Sequence, residues 1–547
     1  MTSRYALGVD YGTESGRALL FCLDSGEEVA DSEVRYPSAV IDELLPGTGE
    51  ELPPDWALQD PADYLYVLEK GVPEVLERSG VLAAEVVGIG VDTTCCTVLP
   101  VDGAGTPLSQ LERWRARPHA WCKLWKHHAA QRYADRLNEV AVERGEQFLA
   151  RYGGRLSSEW YFPKLIQVWI EDRELYEAMA AFVEATDWIV WQLTGELRRS
   201  SCPAGYKACW SPRDGLPSRA FFGAAFPGFP EPDAKLGRTF FPPGARAGSL
   251  GAAMAARTGL RPGTAVAVGN VDSFATVPGA GVDQPGQFVM MVGTSICDMT
   301  IHPNEVLLPG ITGVVQDGIF AGSYGYEAGQ AAVGDMFAWF VEGLLGEREA
   351  RAARFQALEA EAATIRPGGT GLVALDWWNG NRSILADADL SGVIAGLTVS
   401  TTPAEVYRAL LESVALGTLR IIDNFEEYGL PQPEIVACGG VALRSPLLMQ
   451  LIADVTNRPV RVPASSQVPA RGSALFGAVA AGEEAGGFPD IASAVRAHRP
   501  GLAASYSPDP AASRTYQKVY AVYRELYGLL GRERADWLHT LKQLRQA

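Results

Sequence analysis

The sequence predicts an α/β protein built from two related lobes, and three observations carry that expectation. The first is a repeated turn. "LGVDYGTESGRALLF" (residues 7–21) runs from apolar strand through Gly12-Thr13-Glu14-Ser15-Gly16 into a second apolar strand, and "GQFVMMVGTSICDMTI" (286–301) does the same through Gly293-Thr294-Ser295, about half the chain later. The second is the strand-then-helix grammar that follows each turn. The third is length: 547 residues exceed what one core holds and imply roughly two to four domains.

The elements follow in order. "VVGIGVDTTCCTVLPVD" (86–102) reads as a buried strand ending at Asp92 in a polar turn, and "WYFPKLIQVWIEDRELYEAMAAF" (160–182) as helical. "FPGFPEPDAKLGRTFFPPGARAG" (226–248) is a Gly/Pro-rich irregular connection, and "GAGVDQPG" (279–286) is the expected boundary between lobes at 1–282 and 283–547. In the second half, residues 403–429 carry helical spacing and stop at Gly429. "EIVACGGVALRSPLLMQLIADV" (434–455) is a strand, a double glycine and a helix with Leu447, Leu448, Leu451, Ile452 and Val455 on its apolar face. Tyr516 to Leu544 reads as an amphipathic helix docking on the second half.

Composition excludes several classes of function. With 47% hydrophobic and 20% charged residues the chain is globular, and a net charge of −18 repels nucleic acid in the absence of a basic patch. Eight cysteines without a Cys-x-x-Cys pair suggest reduced thiols rather than a disulfide frame or thiolate zinc site. No signal segment and no apolar run of ~18 residues is present, so the expected location is the cytoplasm, with no membrane partner. The Gly-Lys-Ser/Thr ending of a P-loop is absent at the first turn, so any phosphate grip there is of another kind.

The motifs together resemble the FGGY family of carbohydrate kinases from about residue 6 to about residue 530. The two turns resemble that family's phosphate motifs, "VVGIGVDTT" and "ARGSALFGAVAAG" (470–482) its connecting elements, and "VACGGVALRSPLLMQLIADV" its adenosine motif. The resemblance implies two actin-like (ribonuclease H-like) ATPase lobes around a cleft. "LWKHHA" (124–129), "YGGRLSSEW" (152–160), "SCPAGYKACW" (201–210), "GYEAGQAAVGDMFAWF" (325–340) and "LDWWNGNRS" (375–383) resemble the subgroup that phosphorylates L-ribulose at its terminal hydroxyl in arabinose catabolism. The wider family commonly has Arg-Thr-Pro where this chain has Arg382-Ser383-Ile384.

That resemblance implies an ATP- and magnesium-dependent (Mg2+) sugar kinase, with a homodimer as a possible assembly, and it assigns residues. Gly12, Thr13, Ser15, Arg17, Gly293, Thr294 and Ser295 would hold phosphates through backbone amides, hydroxyls and charge. Two hairpins that need glycine only for positive φ are the alternative. Asp10 is a hard oxygen ligand suited to Mg2+, or else a turn-former. Gly439 and Gly440 would bear adenosine, with Gln450 and Asp454 in support. Asp272, in "AVAVGNVDSFATVPGAG" (265–281), resembles the family's catalytic base, against a simple helix cap. Lys207, placed in a loop with Tyr206, Cys209 and Trp210, and Glu327 match sugar-binding positions. The backbone at Thr94, Cys95 and Cys96 resembles a third contact, while the two thiols also read as small core residues. His127 and His128 read as packing residues. The rival functions are a kinase for D-ribulose, xylulose or ribitol, and an actin-like ATPase that is not a kinase.

Overall fold

The structure, a computed structural model, describes residues 3–546. The first half forms strands β1 (Tyr5–Tyr11), β2 (Ser15–Cys22), β3 (Glu28–Arg35), β4 (Val86–Thr93), β5 (Arg246–Ser249), β6 (Ala265–Ala267) and β7 (Asn270–Val271). The second forms β8 (Gln287–Val292), β9 (Ile296–His302), β10 (Gly313–Gln316), β11 (Tyr324–Gln330), β12 (Glu434–Cys438), β13 (Val460–Pro463) and β14 (Leu502–Tyr506). Each half makes one seven-stranded sheet, ordered β5-β6-β4-β1-β2-β3 with β7 beside β4, and β10-β11-β9-β8-β12-β13-β14.

The two sheets repeat one plan. An antiparallel meander (β1-β2-β3; β8-β9-β11) leads to a parallel neighbour of its first strand (β4; β12), a second parallel strand (β6; β13) and an antiparallel edge (β5; β14). The sequence repeat at the two turns is therefore a repeat of whole topology. The antiparallel hairpins account for the absence of a helix after each glycine turn, since a two-strand hairpin needs only a short connection.

Helices α1 (Ser201–Ala208), α2 (Asp272–Gly279), α3 (Pro403–Glu427), α4 (Val468–Ala481) and α5 (Pro510–Gly528) position the site. α4, from the second half, lies on the first sheet. Its contact is backbone on backbone: a Cβ at Gly8, Gly88 or Gly90 would stand 1.8, 2.0 or 1.8 Å from the carbonyl oxygens of Ala470, Gly477 and Ser473. α4 also crosses α2, where a Cβ at Gly472 would stand 1.8 Å from the Ala275 oxygen. An apolar layer that includes Ala6, Phe21, Phe274, Val289, Met299 and Leu475 fills the space between the sheets.

Several elements differ from the sequence reading. Residues 160–182 make two helices, Tyr161–Glu171 and Arg173–Ala178, because Asp172 caps the second by accepting the Leu175 N–H. A strand, Ala181–Glu184, then follows. The helix after Gly439-Gly440 is likewise split at Ser445, into Gly440–Arg444 and Pro446–Thr456, where Ser445 caps Leu448 ahead of the proline. The tail helix begins earlier, at Pro510, capped by Asp509, and packs Tyr516, Tyr520, Tyr523 and Tyr527 into the second core before a break and a last helix, Ala535–Gln546. Among the described residues no helix is long and apolar enough to cross a membrane.

Two predictions follow from this packing. Gly90→Ala puts a methyl against the Ser473 carbonyl, and overpacking of this kind costs about 1–3 kcal/mol. Gly103→Ala, with nothing within 4 Å of the new Cβ, should change stability by less than ~0.5 kcal/mol. Urea unfolding compares the two, and equal midpoints would contradict the contact. The second concerns Asp298 on β9, fully buried with neither oxygen hydrogen-bonded. Burial raises its pKa from 3.8 to about 8, against a weaker pull from Arg382. A carboxyl raised on folding binds its proton more tightly in the native state, so the protein loses stability as pH rises from 3.8 to about 8. Asp298→Asn should remove that slope, and its stability relative to the parent should grow by about 1.4 kcal/mol per pH unit across the window. Denaturant midpoints at pH 5, 6.5 and 8 measure it.

Candidate active site

The first sheet gathers carboxylates at one end. Asp10 on β1 is in register with Arg17 on β2 and Asp92 on β4, and Asp92 is in register with Asn270 on β7, two residues before α2 opens at Asp272. Asp10 and Asp92 are close enough for each to shift the other's titration. Asp92 also accepts the Ser473 hydroxyl of α4 at 2.5 Å, and Asp10 accepts Arg17 Nη1 at 3.3 Å. Burial and then the Asp10 charge push Asp92 well above the carboxylate range. Burial raises Asp10 too, and Asp92 and Arg17 counter only part of the rise. Asp272 is raised to about 7, first by burial and then by the Asp10 charge, against its own Ser273 N–H and Lys207. Val271, not Asp272, occupies the helix cap, and the carboxylate is partly open to the cleft.

The first turn sits above this cluster. Gly12 N–H donates to the Ser15 carbonyl at 3.0 Å, Gln59 Nε2 to the Thr13 carbonyl at 2.6 Å, and Trp125 Nε1 to the Thr13 hydroxyl at 3.1 Å. The Ser15 hydroxyl and Arg17 both turn to Glu33, at 2.8 and 3.2 Å. Neither Gly12 nor Gly293 has positive φ, and a Cβ at either would meet no protein atom closer than 3.3 Å. The hairpins thus do not need these glycines for conformation or for packing.

The second turn is built alike, with Gly293 N–H donating to the Ser295 carbonyl at 2.9 Å. Its Gly293 and Thr294 carbonyls accept N–H groups from Gly334 and Val333, leaving the turn braced from behind. Gly439 follows β12, which runs parallel beside β8, and a Cβ there would stand 2.6 Å from the Val292 oxygen. Its φ of 94° is one that side chains rarely adopt. Gly439 therefore lies against the end of β8 that leads into the second turn. Gln450 and Asp454 bond to each other, to the Ser507 carbonyl and to the Asp509 N–H, anchoring the start of α5.

Between the halves lies a polar cluster with a buried ion pair at its centre. Lys207 stands in the last turn of helix α1 and not in a loop: Ser200 caps that helix, and Cys209, in the left-handed region, ends it. Its Nζ donates to Glu327 Oε2 on β11 at 2.8 Å, and Arg382 Nη2 donates to Glu327 Oε1 at 2.6 Å. Lys207 and Glu327 are 4% and 3% exposed. Burial opposes the Lys207 charge, but Cys95, Glu327 and Cys96 outweigh it and hold it protonated. α1 is joined to α2 by the stacked rings of Tyr206 and Phe274, 4.0 Å apart. Thr94, Cys95 and Cys96 follow β4, with the Thr94 N–H on the Tyr11 carbonyl at 3.0 Å. They thus stand beside the first turn as Gly439 and Gly440 stand beside the second.

Sequence reasoning missed three groups. Asp92 was read only as a strand end, although its parallel pairing with Asp10 is what couples the two acids. Arg382 lay in a quoted motif without a role. It is held in place where Ser383 accepts the Gly329 N–H and the Ile384 N–H donates to Tyr527. Lys164, fully buried on Tyr161–Glu171, donates to the Cys96 and Leu124 carbonyls at 2.6 and 2.8 Å, a role no spacing announces. His127 is a core residue, taking the Ala57 N–H on Nδ1 and meeting Gln167 through Nε2.

Comparison with known proteins agrees with this geometry. The N-terminal domain of the FGGY family of carbohydrate kinases matches residues 5–206, and its C-terminal domain residues 288–481. A ribulokinase of Anoxybacillus flavithermus is 50% identical over all of this chain and 98% of its own length, and one of Mycolicibacterium smegmatis 44% identical over 97% and 94%. Among solved structures, a xylulose kinase from Rhodospirillum rubrum superposes with a TM-score of 0.79 at 25% identity, covering 98% of this chain and 100% of that one. A gluconate kinase from Lactobacillus acidophilus reaches 0.80 at 17% identity, with the same coverage, and shares the fold. The chain therefore belongs to the FGGY family of carbohydrate kinases, with its two-lobed actin-like architecture.

Proposed function

We propose that this kinase transfers the terminal phosphoryl group of ATP to the terminal hydroxyl of L-ribulose, giving L-ribulose 5-phosphate, as a cytoplasmic step of arabinose catabolism. The observation that carries this reading is 50% identity to a ribulokinase over the full chain. The buried Lys207–Glu327–Arg382 cluster beside Asp272 supports it. In this reading residues 1–282 form the sugar-side lobe and 283–547 the nucleotide-side lobe, with α4 lent from the second to the first.

Each group has a task. Asp272, ionised in part near neutral pH, accepts the proton of the attacking hydroxyl, while Asp10 and the start of α2 fix its position. Lys207 offers hydrogen-bond donors and Glu327 acceptors to the sugar hydroxyls. With each Glu327 oxygen already held by a cation, the carboxylate is pre-oriented. Backbone amides of the Gly12–Ser15 and Gly293–Ser295 turns face the phosphates, and Gly439-Gly440 the adenosine. Among the described residues no three His, Cys, Asp or Glu side chains form a metal cage. Asp10 supplies one hard oxygen, the share needed by a magnesium ion carried on a triphosphate. Such an ion neutralises charge on the phosphate oxygens.

Coupled ADP release across L-ribulose, D-ribulose, L-xylulose, D-xylulose, ribitol and glycerol tests the substrate. L-ribulose should give the highest kcat/KM, and ATP hydrolysis indifferent to sugar would refute the kinase reading of the pocket. Asp272→Asn should lower kcat by about 10²–10⁴-fold with both substrates still bound. In the parent enzyme log kcat/KM should rise with unit slope below about pH 7, where Asp272 is protonated, and level above it. An acid limb near pH 4 would show that the base is solvated. Lys207→Met leaves Glu327 with one cation and no sugar donor. It should cost roughly ten- to several-hundred-fold in kcat/KM for L-ribulose while the ATP KM stays nearly constant. Equal losses toward ATP and every sugar would assign Lys207 to lobe closure.

A further inference from the structure

We propose that the last helix, Ala535–Gln546, is a clamp on the loop that carries Arg382, and that its His539 and Lys542 thereby set the affinity for sugar. The second half rests on the reading of the Lys207–Glu327–Arg382 cluster as the sugar site.

Residues 381–389 close on themselves. The Asn381 N–H donates to the Asp387 carbonyl at 2.8 Å, the Asp387 N–H donates back to the Asn381 carbonyl at 2.9 Å, and the Asn381 side-chain oxygen accepts the Leu385 N–H at 2.8 Å. Near the start of this loop Arg382 donates to Glu327 at 2.6 Å. Near its end the loop meets the tail of the chain. His539 Nε2 lies 2.8 Å from Asp387 Oδ2, while Lys542 Nζ donates to the Ala388 carbonyl at 2.6 Å and pairs with Asp389 at 3.2 Å. Three residues apart, His539 and Lys542 share one helix face, and Leu538 beside them is buried in the second core. The break before this helix is seated on the same loop: a Cβ at Gly531 would stand 2.4 Å from Leu385 Cδ1 and 2.9 Å from Trp377 Cη2. With the Ile384 N–H on the Tyr527 hydroxyl at 3.3 Å, the tail grips the loop from Ile384 to Asp389.

The grip has leverage on the site. Arg382 is a long, flexible cation, and its contact with Glu327 orients the carboxylate only if the guanidinium is itself held; otherwise the entropy of ordering the side chain cancels the gain. On the site side the loop is tied to β11, where Ser383 accepts the Gly329 N–H at 3.2 Å. The opposite side is tied to the tail. Both family domains end before that tail, at residues 206 and 481, so the clamp acts on the sugar site from outside the shared lobes.

The test is calorimetric titration of the full chain with L-ribulose in the absence of nucleotide, and hydrogen–deuterium exchange of residues 381–389 gives a readout independent of sugar. His539→Ala and Lys542→Ala should each weaken L-ribulose about two- to fivefold, the range of a part-exposed pair. Each should also speed exchange in the loop while the ATP KM stays constant. His539→Gln and Lys542→Arg keep a donor at each point and should regain most of the affinity. Leu541→Ser, on the exposed side of the same helix, should leave both readouts unchanged. In an Arg382→Met background the two alanine variants should lower kcat/KM no further, since they act through Arg382. Unchanged exchange in both alanine variants, or equal effects from Leu541→Ser, would overturn the clamp. Faster exchange with unaltered sugar affinity, or losses that multiply with that of Arg382→Met, would overturn the second half alone. The sugar panel judges separately the reading on which that half rests, and a ketopentose it ranks above L-ribulose takes its place in the titration.

Discussion

The contact on which the rest of the molecule depends is the seam where α4 meets the first sheet and α2 without side chains between them. Gly8, Gly88 and Gly90 clear a track for a helix that comes from the other half of the chain. Helix and strand backbones then approach far more closely than packed side chains would allow. Because α4 brings Ser473 onto Asp92, and α2 brings Asp272 beside Asp10, the same seam sets the acids of the site.

Electrostatics follow from that geometry. Three acids, two of them buried, sit close together, and like charges at that separation do not all ionise. Asp92 is pushed well above the carboxylate range, Asp10 is paired with Arg17, and Asp272 is raised to about 7. On the opposite wall the balance is reversed, with two cations on the single carboxylate of Glu327. Lys207 comes from the first half and Glu327 from the second, so this ion pair clasps the lobes as well as lining the pocket. The Arg151–Glu305 pair, at 2.7 Å, makes a second clasp of the same kind.

What was legible in the sequence is what repeats or punctuates. The paired glycine turns, the strand before Asp92 and the double glycine at 439–440 each have a local signature, and they located both sheets and the nucleotide-side turn. Helix breaks at Asp172 and Ser445 were hidden, because a cap inside a run of apolar spacing does not disturb the period. Lys207 was assigned to a loop; Pro203 and Gly205 are poor helix formers, yet a short helix forms there with Tyr206 stacked on Phe274. Arg382 and Lys164 gained their roles from partners 55 and 68 residues away, and such pairings have no local trace.

The duplication explains why one plan serves two ligands. In each sheet the loop after the parallel neighbour strand stands beside the hairpin turn of the first strand, so each lobe has one glycine turn with one adjoining loop. In the second lobe that loop is Gly439-Gly440, where a Cβ on Gly439 would stand 2.6 Å from the Val292 carbonyl oxygen. In the first lobe the equivalent loop is Thr94-Cys95-Cys96, and it carries side chains. Flat backbone suits a planar base, which gains from area and needs little polar discrimination. A loop with thiols, hydroxyls and a lysine behind it suits a small polyol, whose hydroxyls must each find a partner. The lobes therefore differ at one topologically equivalent loop, while both keep the same turn, in which the glycine N–H donates to a serine carbonyl.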